Sequence, residues 1–163
     1  MERLLRFFAE SKRSALALRI CSHSAVLIGV IAYVYLAAVA FGISYLNAAR
    51  LVIISAIPFL LVSLARRLVN APRPYELYDF CDTPPKQRKG ESFPSRHVFS
   101  AFLIGTLALF HSVWLGASLL LCGLILSAAR ILLGIHFPRD CIAGAAVGIA
   151  SAVIGVLIAN PFI

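Results

Sequence analysis

Five long apolar runs, separated by short polar punctuation, set the rhythm of this chain. They are Ser24 to Ser44, Ala48 to Ala65, Ser95 to about Phe110, Val113 to about Ala129, and Pro138 to Asn160. Each comes near the roughly 20 residues a helix needs to cross hydrocarbon. Ahead of them, MERLLRFFAESKRSALALRI sets Leu4, Leu5, Phe7 and Phe8 against Arg3, Arg6, Lys12 and Arg13. Met1 to His23 is too charged to span, and it lacks the uninterrupted apolar core of a cleavable signal peptide. The pattern predicts an amphipathic helix lying in the membrane interface, with a plain cytosolic extension as the alternative. The expected fold class is an all-α integral membrane protein. Five transmembrane helices form a bundle over 24–163, preceded by the interfacial helix over 1–23, in one domain spanning 1–163.

Connections between the runs are short except Arg66 to Pro94, which carries Pro72, Pro74, Pro84, Pro85 and the basic cluster KQRK. This segment predicts a solvent-exposed loop or lid. The last run contains Gly144-x-x-x-Gly148, a spacing that lets membrane helices approach closely. Packing within a monomer is the first expectation, and the seam of a homodimer the second.

Composition agrees with the pattern. Hydrophobic residues make up 61% of the 163 residues and charged ones 13%, with a mean hydropathy of +0.92. The net charge of +8 then marks cytoplasmic loops or a site for an anion. No basic helix or aromatic-basic module stands apart from the apolar runs, so nucleic acid is not an expected partner. Cys21, Cys81, Cys122 and Cys141 lack the spacing of a zinc site and read as small core residues.

Polar residues collect at three stations: Arg66 through Arg73-Pro74, Pro94-Ser95-Arg96-His97, and Arg130 through His136 to Asp140. Alternating spans bring the end of the second run, the start of the third, the end of the fourth and the start of the fifth to one membrane face. That face gathers Arg66, Arg73, Arg96, Arg130, His97, His136 and Asp140. Guanidiniums with so few acids beside them call for an anion, and phosphate suits their planar fork. Ser95 is placed to cap the third helix and leave the N–H groups of Arg96, His97 and Val98 facing the same point.

The histidines carry the chemistry. Pro138 suits a first helical position, which puts Asp140 in the first turn, four residues after His136. A carboxylate there can hold the imidazole tautomer and leave the other nitrogen free to attack. His97 is placed to protonate a departing oxygen. His23 and His111 read as solvated or hydrogen-bonded. Arg67, Lys86, Arg88, Lys89 and Arg139 read as loop charges, and Arg50 as an interface anchor.

The three stations resemble the signature of the type-two phosphatidic acid phosphatase superfamily, which includes bacterial acid phosphatases and vanadium haloperoxidases. That signature runs K-x6-R-P, P-S-G-H and S-R-x5-H-x3-D. Here six residues separate Arg66 from Arg73-Pro74, Pro94-Ser95-Arg96-His97 follows, and Ala129-Arg130, five residues, His136, three residues and Asp140 complete it. Three positions depart. Arg66 replaces lysine, Arg96 replaces glycine and crowds the anion site or adds a cation, and Ala129 replaces serine. The resemblance implies that His136 forms a phosphohistidine, Asp140 orients it, and His97 protonates the leaving group and then activates water. Arg66, Arg73 and Arg130 would hold the phosphoryl oxygens, with Ser95 and the backbone of Arg96. It implies neither a metal nor any other cofactor. Membrane members act on lipids such as phosphatidic acid, phosphatidylglycerol phosphate and isoprenoid diphosphates.

Other phosphatase chemistries do not fit. Asp79 and Asp82 are not an Asp-x-Asp pair, Gln87 stands where a cysteine phosphatase needs arginine after Cys81, and no Walker loop is present. Two-metal hydrolases need more carboxylates than this face has. A lipid phosphotransferase and a non-catalytic lipid-phosphate binding or transport protein are the alternatives. The N-terminus falls on the site's side of a multi-pass cell-membrane protein. The basic excess there, discounting the site arginines, points to the cytoplasm.

Overall fold

The computed structural model of the protein describes residues 12–78 and 89–163, and every regular element among them is a helix. α1 covers Lys12–Ile43, α2 Tyr45–Val69, α3 Pro74–Leu77, α4 Arg96–His111, α5 Val113–Leu132 and α6 Pro138–Ile158. Local chemistry sets the boundaries. Ser44 alone separates α1 from α2, and its hydroxyl accepts from the Asn47 N–H at 3.1 Å. Ser112 does the same between α4 and α5, accepting from the Leu115 N–H at 3.5 Å. Asn70 closes α2 in the left-handed region, and Pro138 opens α6 at a position needing no N–H donor.

α1, α2, α5 and α6 lie in the four helical stretches long and apolar enough to cross a membrane, and the chain is a multi-pass membrane protein. α4 is apolar but has only 16 residues, about 24 Å of helix against roughly 30 Å of hydrocarbon. The expectation of five crossings therefore reduces to four helices of spanning length and a shorter apolar fifth. α4 is the central element. It packs on α1, α2, α5 and α6, and its Phe99 and Leu107 are fully buried. The outer helices expose Leu27, Val34, Leu60 and Leu157, as lipid-facing surfaces do.

Three boundaries differ from those read off the pattern. Residues 12–23 are the opening turns of α1 rather than part of a separate interfacial helix, because no Gly or Pro interrupts the chain before the apolar run. Residues 1–11 of that expected helix lie outside the described residues. α2 runs past Ala65 to Val69 and α5 past Ala129 to Leu132, so Arg66, Arg67 and Arg130 occupy last turns. Cations there oppose the negative end of the helix dipole.

The glycine seam of α6 is used within the chain. A Cβ on Gly144 would lie 2.6 Å from the Ser95 carbonyl oxygen, and one on Gly148 2.5 Å from that of Phe99. These glycines let α6 lie against the start of α4, where the Ser95 N–H donates to the Asp140 carbonyl at 3.0 Å. Gly144→Ala is expected to destabilise the protein by about 1–3 kcal/mol and to displace Ser95. A lowered unfolding midpoint in detergent is the measure, and an unchanged midpoint would contradict the close approach.

Candidate active site

The polar segment after α2 is strapped down by hydrogen bonds in its described parts, while Pro72, Glu76, Leu77 and Lys89 keep the exposure its composition predicts. Arg66, 3% exposed, sends Nη1 to the Pro94 carbonyl at 2.9 Å. The Glu76 carboxylate accepts from the N–H groups of Arg73 at 3.1 Å and Gly90 at 2.7 Å. Arg73 Nε donates to the Gly90 carbonyl at 2.9 Å. The Ser92 N–H donates to Ala71 at 2.9 Å, and the Tyr75 N–H to Gly134 at 3.3 Å. Gly90 has φ +68, and a Cβ there would overlap the Asn70 side chain, so this crossing admits only glycine. Residues 79–88, which include Cys81 and most of the KQRK cluster, lie outside the described residues.

The strap delivers Ser92 to His136 and Asp140. All three side chains are buried, with Ser92 and Asp140 at 0% exposure. Ser92 Oγ donates to Asp140 Oδ2 at 2.5 Å and lies 3.3 Å from His136 Nδ1. The direct Nδ1 to Oδ2 distance is 3.7 Å, beyond a hydrogen bond. A hydroxyl has one proton, and here Asp140 takes it. The contact with Nδ1 therefore requires Nδ1–H to donate to Ser92 Oγ. This leaves the His136 Nε2 lone pair free. Asp140 Oδ2 also accepts from the Phe137 N–H at 3.0 Å, a bond at the start of α6. Burial holds the His136 imidazole below its ordinary pKa; Asp140 opposes this, and Arg73 and Arg66 reinforce it.

Neither Ser92 nor Glu76 was among the expected site residues. The one signal available was that each flanks a station, which many inert residues also do.

His97 stands across from this group on the first turn of α4. It is exposed and within electrostatic reach of Arg130, His136, Arg96 and Arg66. With Arg96 it lines a half-open crevice of about 280 Å³ between α1, α2, α4 and α5, whose walls include Gly29, Phe59, Ile104 and Leu126. Ser95 holds the N-cap position of α4, but its hydroxyl makes no capping bond. The expected side-chain cap is absent: the Ser95 N–H donates to the Asp140 carbonyl, and Oγ is unpaired and buried. Arg96, His97 and Val98 occupy the first turn of α4, where N–H groups have no helical acceptor.

Within the described residues, five buried side-chain atoms have no hydrogen-bond partner in the protein: Arg66 Nε, Arg130 Nε, Ser95 Oγ, Asp140 Oδ1 and, within α2, Ser63 Oγ. The first four belong to the three stations, and three of those four are donors. A buried unpaired donor costs about 1–3 kcal/mol, so such a cluster suits an anion held from several sides. Asp140 Oδ1 has Arg139 Nε at 3.6 Å, on an exposed side chain. Among the described residues no group of three or more His, Cys, Asp or Glu side chains is arranged to hold a metal ion.

Residues read as bystanders lie apart or face outward. His23 bonds to the Arg19 carbonyl at 2.7 Å. His111, at the far end of α4, is 3.2 Å from the Tyr35 hydroxyl. Arg50 donates to Asn47 at 2.9 Å near the start of α2. Cys21, Cys122 and Cys141 are free, and Cys141 is buried.

The family model of the PAP2 superfamily matches residues 47–162, well over half of the chain. No curated protein sequence matches the chain. Among solved structures, that of Aquifex aeolicus LpxE aligns with a TM-score of 0.71 at 24% identity, covering 95% of this chain and 93% of that one. This likeness shows the fold. The structure of the first transmembrane PAP2 type phosphatidylglycerolphosphate phosphatase from Bacillus subtilis covers 94% of this chain and 90% of its own at 20% identity, with a TM-score of 0.43.

Proposed function

The chain belongs to the PAP2 superfamily, and from that premise we propose that it is a lipid phosphate phosphatase working through a phosphohistidine on His136. The observation that carries this reading is the convergence of unpaired buried donors, Arg66 Nε, Arg130 Nε and Ser95 Oγ, beside a histidine whose free nitrogen is dictated by its partners.

His136 Nε2 attacks phosphorus while Arg66, Arg73, Arg130, Ser95 and the first-turn N–H groups of α4, Arg96 among them, hold the phosphoryl oxygens. The bond from phosphorus to the leaving oxygen breaks, and His97 gives that oxygen its proton. Positive charge grows on the His136 ring as Nε2 bonds to phosphorus. The chain Nδ1–H to Ser92 to Asp140 brings a carboxylate to bear on it. Water, losing a proton to His97, then attacks the phosphohistidine and releases phosphate. Guanidiniums supply the charge stabilisation that metals supply elsewhere. The apolar body lets the substrate's hydrocarbon stay in the membrane while its phosphate reaches the site. The alternation of spans puts the site on the membrane face that carries the start of α1, and the basic excess there favours the cytoplasm.

Phosphate release by the purified protein from phosphatidic acid, phosphatidylglycerol phosphate and polyprenyl diphosphate tests this reading; no release from any of them would overturn it. The pH profile of kcat/KM adds a sharper test. The nucleophile must be neutral, and its pKa is lowered from the ordinary value of about 6.5 by burial. Activity should therefore hold down through pH 6.5 and fall only below it. An acid limb centred above pH 7 would contradict the lowered imidazole.

A further inference from the structure

Arg96 stands where the resembled signature has glycine, and its side chain does not join the groups around His136. Its guanidinium sits over the Phe59 ring, 5.9 Å from the centroid. Within the described residues it forms no ion pair or hydrogen bond. Arg66 acts on both histidines and Arg73 on His136, while Arg130 and Arg96 act on His97. Arg96 therefore lies on the side of the proton donor, which is the side of the leaving group.

The crevice lies on that side too. Arg96, His97, Ser100, Ala101 and Ile104 form one face of α4 along it, while His136 and Asp140 do not line it. Its walls are mostly apolar. A substrate with its outer phosphorus at His136 and its hydrocarbon in the crevice must pass Arg96 between them. An uncharged alcohol leaving group offers this cation nothing, but a second phosphate would pair with it. Stacking on Phe59 holds the guanidinium ready for that contact.

We propose that Arg96 is a specificity-determining residue that binds the inner phosphate of a lipid diphosphate, whose hydrocarbon chain lies in the crevice between α1, α2, α4 and α5. This rests on the phosphatase reading above. His136 Nε2 bonds to the outer phosphorus as the bond from that phosphorus to the bridging oxygen breaks. The electron pair stays on the bridging oxygen, which becomes part of the inner phosphate. Arg96 neutralises the charge developing there, and His97 supplies the proton. Water then cleaves the phosphohistidine. The net reaction is lipid diphosphate plus water to lipid monophosphate plus inorganic phosphate.

The test compares kcat/KM for two pairs of substrates in mixed micelles: a polyprenyl diphosphate with its monophosphate, and diacylglycerol diphosphate with phosphatidic acid. The wild-type protein should favour the diphosphate in at least one pair. Arg96→Gln should lower that diphosphate-to-monophosphate ratio about 10- to 100-fold, and Arg96→Lys should restore part of it. If both members of a pair fall together and the ratio holds, Arg96 serves the reacting phosphate. The specificity assignment is then overturned while the phosphatase reading stands. If the wild-type protein releases phosphate from none of the four, the phosphatase reading itself fails.

Gly29 gives a second measurement independent of Arg96. A Cβ there meets nothing within 4 Å, so the side chain of Gly29→Phe starts without a clash and extends into the crevice that Gly29 lines. It should raise KM for the preferred long-chain diphosphate about tenfold relative to a five-carbon diphosphate. An unchanged KM ratio would overturn the placement of the chain.

Discussion

His136→Ala is expected to lower phosphate release by about four to six orders of magnitude, the range seen when a covalent nucleophile is removed from an otherwise intact site. His136 offers a free lone pair on Nε2 beside the unpaired donors, and its partners on Nδ1 dictate that. The loss should fall on kcat, because Arg66, Arg73 and Arg130 remain to bind the phosphate. Substrate labelled in the transferred phosphate should give an acid-labile phosphoprotein with the wild type and none with the variant. The ring is 2% exposed and meets the Ser92 and Asp140 side chains, so a hole forms. The unfolding midpoint in detergent must therefore be read alongside. Full activity in a folded His136→Ala protein would remove the nucleophile from the proposal and the mechanism with it.

Asp140→Asn is expected to cost about three to four orders of magnitude in kcat, comparable to amidating a carboxylate that orients a catalytic imidazole. The amide fits the site. Its oxygen can take the place of Oδ2 and accept from Ser92 and from the Phe137 N–H. The charge that stabilises an imidazolium is what disappears. Ser92→Ala provides the contrast. If the hydroxyl is the link between Nδ1 and the carboxylate, its removal should cost about 10- to 100-fold, and Ser92→Thr should recover part. An Asp140→Asn protein as active as the wild type would show that the 3.7 Å between imidazole and carboxylate carries no catalysis. A Ser92→Ala protein with full activity would show that the two meet directly during turnover.

Much of the site could be read from residue types and spacing. Arginines are costly at the ends of apolar runs, so Arg66, Arg73 and Arg130 point to an anion as partner. The interval from His136 to Asp140 spans a helix start, which any chain with Pro138 between them would make. Gly144 and Gly148 announced a close helix approach, and the seam proved to be with α4 inside the chain.

Other features had no local signal. Ser92 sits in Glu91-Ser92-Phe93 as an ordinary loop serine. It acquires a role because the N–H groups of residues 90–92 donate to Glu76, Asn70 and Ala71 and pin this stretch against the start of α6. Glu76 reads as a surface charge until Gly90 is brought to it. The direction of Arg96 could not be inferred either, since a cation beside the anion site was expected to serve the reacting phosphate. Its path over Phe59 depends on where α2 packs.

The order of residues alone determined the membrane setting, the alternation that brings three stations to one face, and the kinds of groups assembled there. Each follows from properties local to a run: its apolarity, its length, and the cost of burying charge. The tertiary structure decided which nitrogen of His136 is free, that a serine stands between it and Asp140, and that Arg96 turns to the crevice. Those outcomes depend on contacts of a few ångströms between residues far apart in the chain, set by how α4 and α6 close against the strap.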